Sequence, residues 1–536
     1  MTTEVKNAQK IESEIWAMAN KLRGNMSASE FQNYILGFMF YRYLSYHQEA
    51  YLVKEDVIPL EPGQDMNAAY LQISADDLTD YLQDIAENLG YAIRPDYTWK
   101  SLLQKIDNHA IKASDYQDVF EDFEKNAEMN TKAAQDFSGV FNDLNLTDNR
   151  LGDTTASRAR ALNSIVTMID TVGLDDDHGR DILGSVYEYL ISQFAADAGK
   201  KAGEFYTPHA VSKVLSKLAA SQAPAEGQFS VYDPAMGSGS LLLTVQEQLV
   251  NGDKPGRVKF YGQELNTTTY NLARMNLMMH QVDYKNMDLR NADTLDSDWP
   301  DGEVDGIDRP RHFDAVVANP PYSSEWDNSD IKMKDPRFKD YGKLAPAKKA
   351  DYAFVLHALY HLNNTGTMAI VLPHGVLFRG AAEGTIRENL LKNNYLDAVI
   401  GLPANIFYST SIPTVILVFR KNKPTHDVLF IDASNDFGKE KKQNILRDED
   451  IDKIMKTYTA RQDVDKYAHV ADMAEIEEND FNLNIPRYVD TFEEEAPIDI
   501  EATEKELADI DKQIADIMAQ FNEMKAQLVK TDDSEK

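Results

Sequence analysis

The chain has 536 residues, too long for one compact core, so two or three domains are expected. Its 88 acidic and 55 basic side chains leave a formal charge of −33, which argues against coating nucleic acid with the whole surface, because phosphate contacts need Lys and Arg. A hydrophobic content of 43% excludes a largely disordered chain, and the absence of cysteine excludes disulfides, thiolate metal sites and Cys nucleophiles.

The N-terminal part reads as helical. Ile11, Ile15, Met18, Ala19 and Leu22 recur at helical spacing, as do Phe31, Ile35, Phe38, Met39 and Tyr43 after the Ser27/Ser29 capping region. Residues 51–90, with nine acids against one lysine, are expected to be loop-rich. Further helix is expected over Leu102–Ile111 and Arg158–Val172. From about Ser230 short apolar strands alternate with helices. The strands are Phe229–Asp233, Val258–Glu264, Phe313–Asn319, Thr367–Leu372, Leu396–Leu402 and Thr414–Arg420. Leu241–Val250, Thr267–Met279, Asp351–Leu362 and Ile386–Asn393 read as the helices between them. This alternation implies an α/β fold with a mostly parallel sheet and ligands at the carboxyl ends of its strands. In the tail, Leu507, Ile510, Ile514, Ile517, Phe521, Met524 and Leu528 form a heptad seam. A seam that short needs a partner helix or a place on the body.

The chemistry concentrates at three strand ends. Val231-Tyr-Asp-Pro-Ala-Met-Gly-Ser-Gly-Ser240 is a strand, a tight turn and a helix start, where Gly237 and Gly239 let the backbone approach a ligand. No Lys-Ser/Thr follows, so it is not a phosphate-gripping loop. Glu264 ends the next strand, where an acid can accept from ribose hydroxyls, and Asp293 after the third short strand can contact an adenine ring. Finally, Phe313-Asp-Ala-Val-Val-Ala runs into Asn319-Pro320-Pro321-Tyr322. The Asn319 amide oxygen and the Pro320 carbonyl supply two acceptors for one –NH2 group, localising its lone pair toward an electrophile, and Tyr322 supplies a face for stacking. The pair His357/His361 lacks the Glu of a zinc helix, so a core or surface role is expected and no metal site.

Together Asp233-Pro-Ala-Met-Gly-Ser-Gly-Ser, Gly262-Gln-Glu and Asn319-Pro-Pro-Tyr resemble the amino-group DNA methyltransferases that use S-adenosylmethionine. With Ala350-Asp-Tyr-Ala-Phe, the helical N-terminus and the terminal heptads, the resemblance narrows to the modification subunit of type I restriction-modification systems. It implies a Rossmann-like methyltransferase sheet over residues 161–490, a helical domain over 1–160 and a partner-contacting helix over 491–536. It also implies methyl transfer to N6 of a flipped-out adenine in double-stranded DNA. By the same resemblance Glu204, Phe205, Tyr206, Thr207, Pro208 and His209 close over the cofactor. Asp233, Gly237, Ser238, Gly239, Ser240, Glu264 and Asp293 bind it, although the family has Asn in place of Asp293. Asn319, Pro320 and Tyr322 hold the adenine. The implied partners are a DNA-specificity subunit, a restriction subunit and a second methyltransferase subunit, in the cytoplasm and away from membranes. A solitary adenine methyltransferase, one acting on RNA or a protein glutamine amide, and a non-enzymatic scaffold stay open as alternatives. The stretch 331–350, with seven bases against Asp335 and Asp340, reads as a phosphate-contacting loop.

Overall fold

The computed structural model describes residues 13, 15–20, 23, 26–171, 183–198, 206–296, 301–304, 307–408, 410–440, 443–491 and 500–531. Glu204 and Phe205, both expected at the cofactor, lie outside them, as do Ile11, Leu22 and Val172. The chain forms two compact units, residues 1–489 and 490–536.

In the helical part, Ala28–Lys54 starts at a reciprocal cap: Ser27 N donates to Glu30 at 3.0 Å, and Glu30 N donates to Ser27 Oγ. Ile35, Leu36, Phe38, Met39, Phe40 and Tyr41 are all buried, so the helix is covered on nearly every side rather than along one stripe. The acidic stretch is not loop-rich. It holds the helices Met66–Tyr70 and Leu78–Leu89. In the second, Leu82, Ile85 and Ala86 are buried while Asp80, Asp84 and Glu87 stay exposed, so the acids mark the wet face of an amphipathic helix.

The sheet has nine strands. In chain order they are β1 (Phe229–Asp233), β2 (Val258–Glu264), β3 (Met287–Asn291), β4 (Phe313–Ala318), β5 (Leu362–Pro373), β6 (Leu396–Gly401), β7 (Thr414–Phe419), β8 (Asp427–Asp432) and β9 (Ala468–Asp472). Their spatial order is β9-β8-β6-β7-β5-β4-β1-β2-β3. The chain reverses direction across the sheet between β1 and β4, which leaves a crevice there. β7 runs antiparallel to both β5 and β6, and β9 runs antiparallel to β8; the other pairings are parallel.

The helical part is fastened to the helix Thr267–Met279, which follows β2. Arg274, buried there, donates to the carbonyls of Gln135 and Ser138 at 2.9 and 2.8 Å. Asp143 accepts from Thr268 and Asn271 at 2.6 and 2.8 Å. In the second unit the helix Ile500–Thr531 carries the heptad seam. Leu507, Ile510, Ile514, Ile517, Phe521 and Met524 are exposed, and the Leu528 side chain lies outside the described residues. Among the described residues no helix is long and apolar enough to cross a membrane.

Candidate active site

Four strand ends converge on one cleft. Beyond β1, Gly237 and Gly239 take left-handed backbone angles (φ 54° and 76°), which glycine adopts without steric cost and which fold the chain back into the helix Ser240–Gln248. This turn is stitched to its neighbours. Met236 N donates to Gln263 O at 2.9 Å, Gly237 N to Glu264 Oε2 at 3.2 Å, and Thr294 Oγ1 to Pro234 O at 2.6 Å. Gly262 permits the close approach, since a Cβ there would stand 2.3 Å from Met236 Sδ.

The result is a cleft of about 1020 Å³, open mouth included, lined by Asp233, Gly237, Ser238, Ser240, Glu264 and Asp293 together with Thr207 and Asn319. Met236, Leu265, Trp326 and Phe354 add apolar wall that strand-end reasoning did not single out. Phe354 stands in Ala350-Asp-Tyr-Ala-Phe, in the first turn of the helix Asp351–Tyr360, and that motif was its only signal. Both acids of the floor are buried. Burial pushes the Asp233 carboxyl up to about 8, against the Ala235 N–H it accepts and with the Glu264 charge nearby. Burial also raises Glu264, although the N–H groups of Asn266 and Gly237 pull it back. Asp293 accepts from Leu295 N at 2.9 Å.

The remaining expected cofactor residues part company. Gly239 packs into the core instead, where a Cβ would meet the buried Leu277 at 2.5 Å. Tyr206 is buried beside Tyr408, with ring centroids 6.1 Å apart, and faces an adjoining cavity toward the helical part that shares Ser238 with the cleft. Pro208 caps the helix His209–Ala219, and His209 is exposed at its first turn.

Asn319 marks the junction between this cleft and a second one. The second, of about 1130 Å³, is lined by Pro320, Pro321, Tyr322, Phe407 and Ile412 among others, and the two share Asn319, Pro321 and Ser324. The Asn319 amide nitrogen donates to Thr207 Oγ1 at 3.0 Å, which leaves its carbonyl oxygen free to accept from a ligand. Tyr322 and Phe407 meet edge to face, 6.1 Å apart, and the Tyr322 hydroxyl is buried without a partner among the described residues. Phe407 was missed. Its signal is Gly401-Leu-Pro-Ala-Asn-Ile-Phe407, another strand running off the same sheet edge.

Two of the seven bases in 331–350 do not face solvent. Lys332 and Arg337 are buried against backbone carbonyls, so only Lys334, Lys339, Lys343 and Lys348 are exposed and Lys349 half-buried. His357 and His361 are core residues, hydrogen-bonded to Tyr232 and to the Arg311 carbonyl at 2.7 and 2.8 Å.

A buried acid pair on a glycine turn, facing an apolar-walled cleft, fits a ligand with a cationic end, a ribose and a flat ring. The fold and cleft define an S-adenosylmethionine-dependent methyltransferase. The sequence profile of the N-6 DNA methylase family matches residues 178–496, and that of the HsdM N-terminal domain matches residues 11–169. The type I restriction enzyme MpnII methylase subunit of Mycoplasma pneumoniae is 38% identical over 95% of this chain and 94% of its own. The type I restriction-modification methyltransferase subunit of Streptococcus thermophilus superposes with a TM-score of 0.82 at 44% identity, covering 90% of this chain and 100% of its own. A modification subunit of Vibrio vulnificus, 20% identical over 91% of this chain and 98% of its own, shares the fold with a TM-score of 0.56. The chain belongs to the N-6 DNA methylase family, among the methylase subunits of type I restriction-modification systems.

Proposed function

We propose that this chain transfers a methyl group to N6 of an adenine flipped out of duplex DNA, holding the cofactor in the first cleft and the base in the second. The placement of Asn319 at their junction carries the reading. When bound, S-adenosylmethionine supplies a methyl group made electrophilic by a sulfonium, so the chain need only position the amine, whose surplus proton passes to solvent once the methyl group has been transferred. Glu264, with its carboxylate already aligned by Gly237 and Asn266, holds the ribose hydroxyls; Asp233 faces the cationic methionine end. Thr207 fixes the Asn319 amide so that its oxygen, with the Pro320 carbonyl, accepts the two N6 hydrogens. Exocyclic nitrogen is a poor nucleophile while its lone pair is spread into the ring, and these two acceptors hold the lone pair out of that conjugation. Tyr322 and Phe407 supply aromatic surface to the unstacked base.

The domains are read as 1–160, 161–490 and 491–536. Sequence choice is assigned to a separate specificity subunit, with two methyltransferase subunits per complex and a restriction subunit joining it, in the cytoplasm. Dependence on a partner is supported by the relatives, which are methylase subunits of type I restriction enzymes. The test is transfer of tritiated methyl from S-adenosylmethionine to genomic DNA, with and without the co-expressed specificity subunit. Activity only with the partner is expected; activity of the lone chain would remove the partner requirement, and labelling of RNA or protein alone would remove DNA as substrate. Asn319→Ala should abolish transfer while cofactor binding persists. Loss of cofactor binding instead would take Asn319 away from the base.

A further inference from the structure

The cofactor cleft is bounded at β3 by the short loop Ala292–Asp296, and what holds that loop comes from the segment following Asn319-Pro-Pro-Tyr322. Lys332, 7% exposed, donates its ammonium to Leu295 O at 2.8 Å and pairs with Asp296 at 3.3 Å. Arg337, 1% exposed, donates to Thr294 O at 2.9 Å, and Asp335 closes the other end of its guanidinium at 2.6 Å. The same segment places Trp326 on the cleft wall, its backbone N–H donating to Ala347 O at 2.9 Å.

The donor directions continue inward without ambiguity. Guanidinium can only donate, so at 3.1 Å from Arg337 the Nδ1 of His357 accepts. Its Nε2 then carries the hydrogen and donates to the Tyr232 hydroxyl at 2.7 Å, which donates to Gln263 Oε1 at 2.6 Å. Tyr232 precedes Asp233 and Gln263 precedes Glu264, so this buried chain ends one residue short of both acids of the cleft. Burying two cations is expensive, and apolar side chains would fill the same space at lower cost if packing were the whole role.

We propose that Lys332 and Arg337 are positioning residues for the cofactor. They pin Thr294–Asp296 opposite Trp326, so the adenine end of the cofactor enters a slot with one wall on the loop that also carries the base-holding residues. Cofactor binding and the grip on the target adenine are thereby coupled. This rests on the first cleft being the cofactor's. The stretch that reads as a phosphate contact in the sequence is thus divided, its buried cations serving the cofactor and its exposed lysines remaining for DNA.

The test uses the full chain assembled with its specificity subunit. Lys332→Met keeps the aliphatic stem and removes the charge; Lys332→Arg keeps the charge. Losing charge-assisted hydrogen bonds predicts about a tenfold rise in KM for S-adenosylmethionine in the Met variant, with kcat at saturating cofactor nearly unchanged. The Arg variant should recover most of the loss. S-adenosylmethionine should quench tryptophan fluorescence in the unsubstituted chain, and Trp326→Phe should remove that quench. An unchanged cofactor KM in Lys332→Met, with a raised KM for duplex DNA, would overturn the proposal, as would a loss of folding that Arg does not rescue. Glu264→Gln separates the two levels. If it weakens cofactor binding while Lys332→Met does not, the clamp alone fails; if neither weakens it, the assignment of the cleft fails with it.

Discussion

At Asp233 the chemistry of the site is set by solvent exclusion. Burial, opposed by the Ala235 N–H and helped by the Glu264 charge, lifts its carboxyl to about 8, so it is protonated at neutral pH before a ligand arrives. A cationic ligand end favours the carboxylate, so binding must expel a proton. Cofactor affinity should therefore rise with pH by up to about tenfold per unit between about pH 6 and 7.5, below the range where the ligand's own amino group titrates. Titration calorimetry in buffers of different ionisation enthalpy would count the released proton, and Asp233→Asn should flatten the dependence. The sign for stability is opposite. A carboxyl raised on folding stabilises below its unfolded value, near 4, and that contribution is lost as pH rises through about 8. The melting temperature of the ligand-free chain should fall across that window, and less so in Asp233→Asn. Thr207 acts through its neighbour, its hydroxyl accepting the Asn319 amide at 3.0 Å. Thr207→Val keeps the shape and removes the acceptor. One such hydrogen bond is worth about 1 kcal/mol, so kcat should drop roughly fivefold while cofactor KM moves less.

The Asn319-Pro-Pro-Tyr322 loop is held at both ends by elements remote in sequence. Ser323 takes a left-handed φ of 51°, and its N–H donates to Asp351 at 2.8 Å, at the start of the helix Asp351–Tyr360. Asp351 is fully buried and pairs with Arg379 at 2.6 Å, which is also bound by Glu383. Asp351→Ala leaves Arg379 paired with Glu383 but removes the acceptor of the Ser323 N–H and of one guanidinium arm, so it should cost about 1–3 kcal/mol in urea unfolding and loosen the loop. This tether was invisible from sequence, because Asp351 reads there as a first-turn acid of its helix. The strands fared differently according to what defines them. β1 and β2 have the bounds read from the sequence, because their apolar residues, Phe229 and Val231 in one and Val258 and Phe260 in the other, alternate with the half-buried Ser230 and Lys259 before running into buried polar ends. The direction of β7 was not legible, as Thr-Val-Ile-Leu-Val-Phe is equally buried in either orientation. What decides it is the connection from β6, Leu402 to Pro413, which among the described residues holds no helix to carry a crossover. The run Val428–Ile431 between two aspartates does carry a strand signal, yet β8 and β9 were both passed over as the acidic end of the chain.

Across the whole molecule the charge of −33 is a matter of distribution. Residues 471–536 hold 20 acids against 6 bases, whereas residues 200–290, which carry the glycine turn and Glu264, hold 8 acids against 10 bases. The exposed positive charge of the 331–350 stretch is smaller than its composition suggests, because Lys332 and Arg337 are directed inward onto carbonyls. The lysines left outside, Lys334, Lys339, Lys343 and Lys348, are few for gripping a duplex, and the proposed complex assigns the rest of the grip to a more basic partner. Each phosphate contact releases condensed counterions and adds about 0.9 to the slope of log affinity against log salt. Replacing Lys339 and Lys343 together by Gln in the assembled complex should therefore flatten that slope by up to about 1.8, roughly equally for any duplex sequence. Lys332→Met, which removes as much formal charge per residue from the same twenty-residue stretch, should leave the slope where it was. Equal flattening by all three would mean that Lys332 reaches DNA, and that position along the chain rather than burial decides which cations it meets.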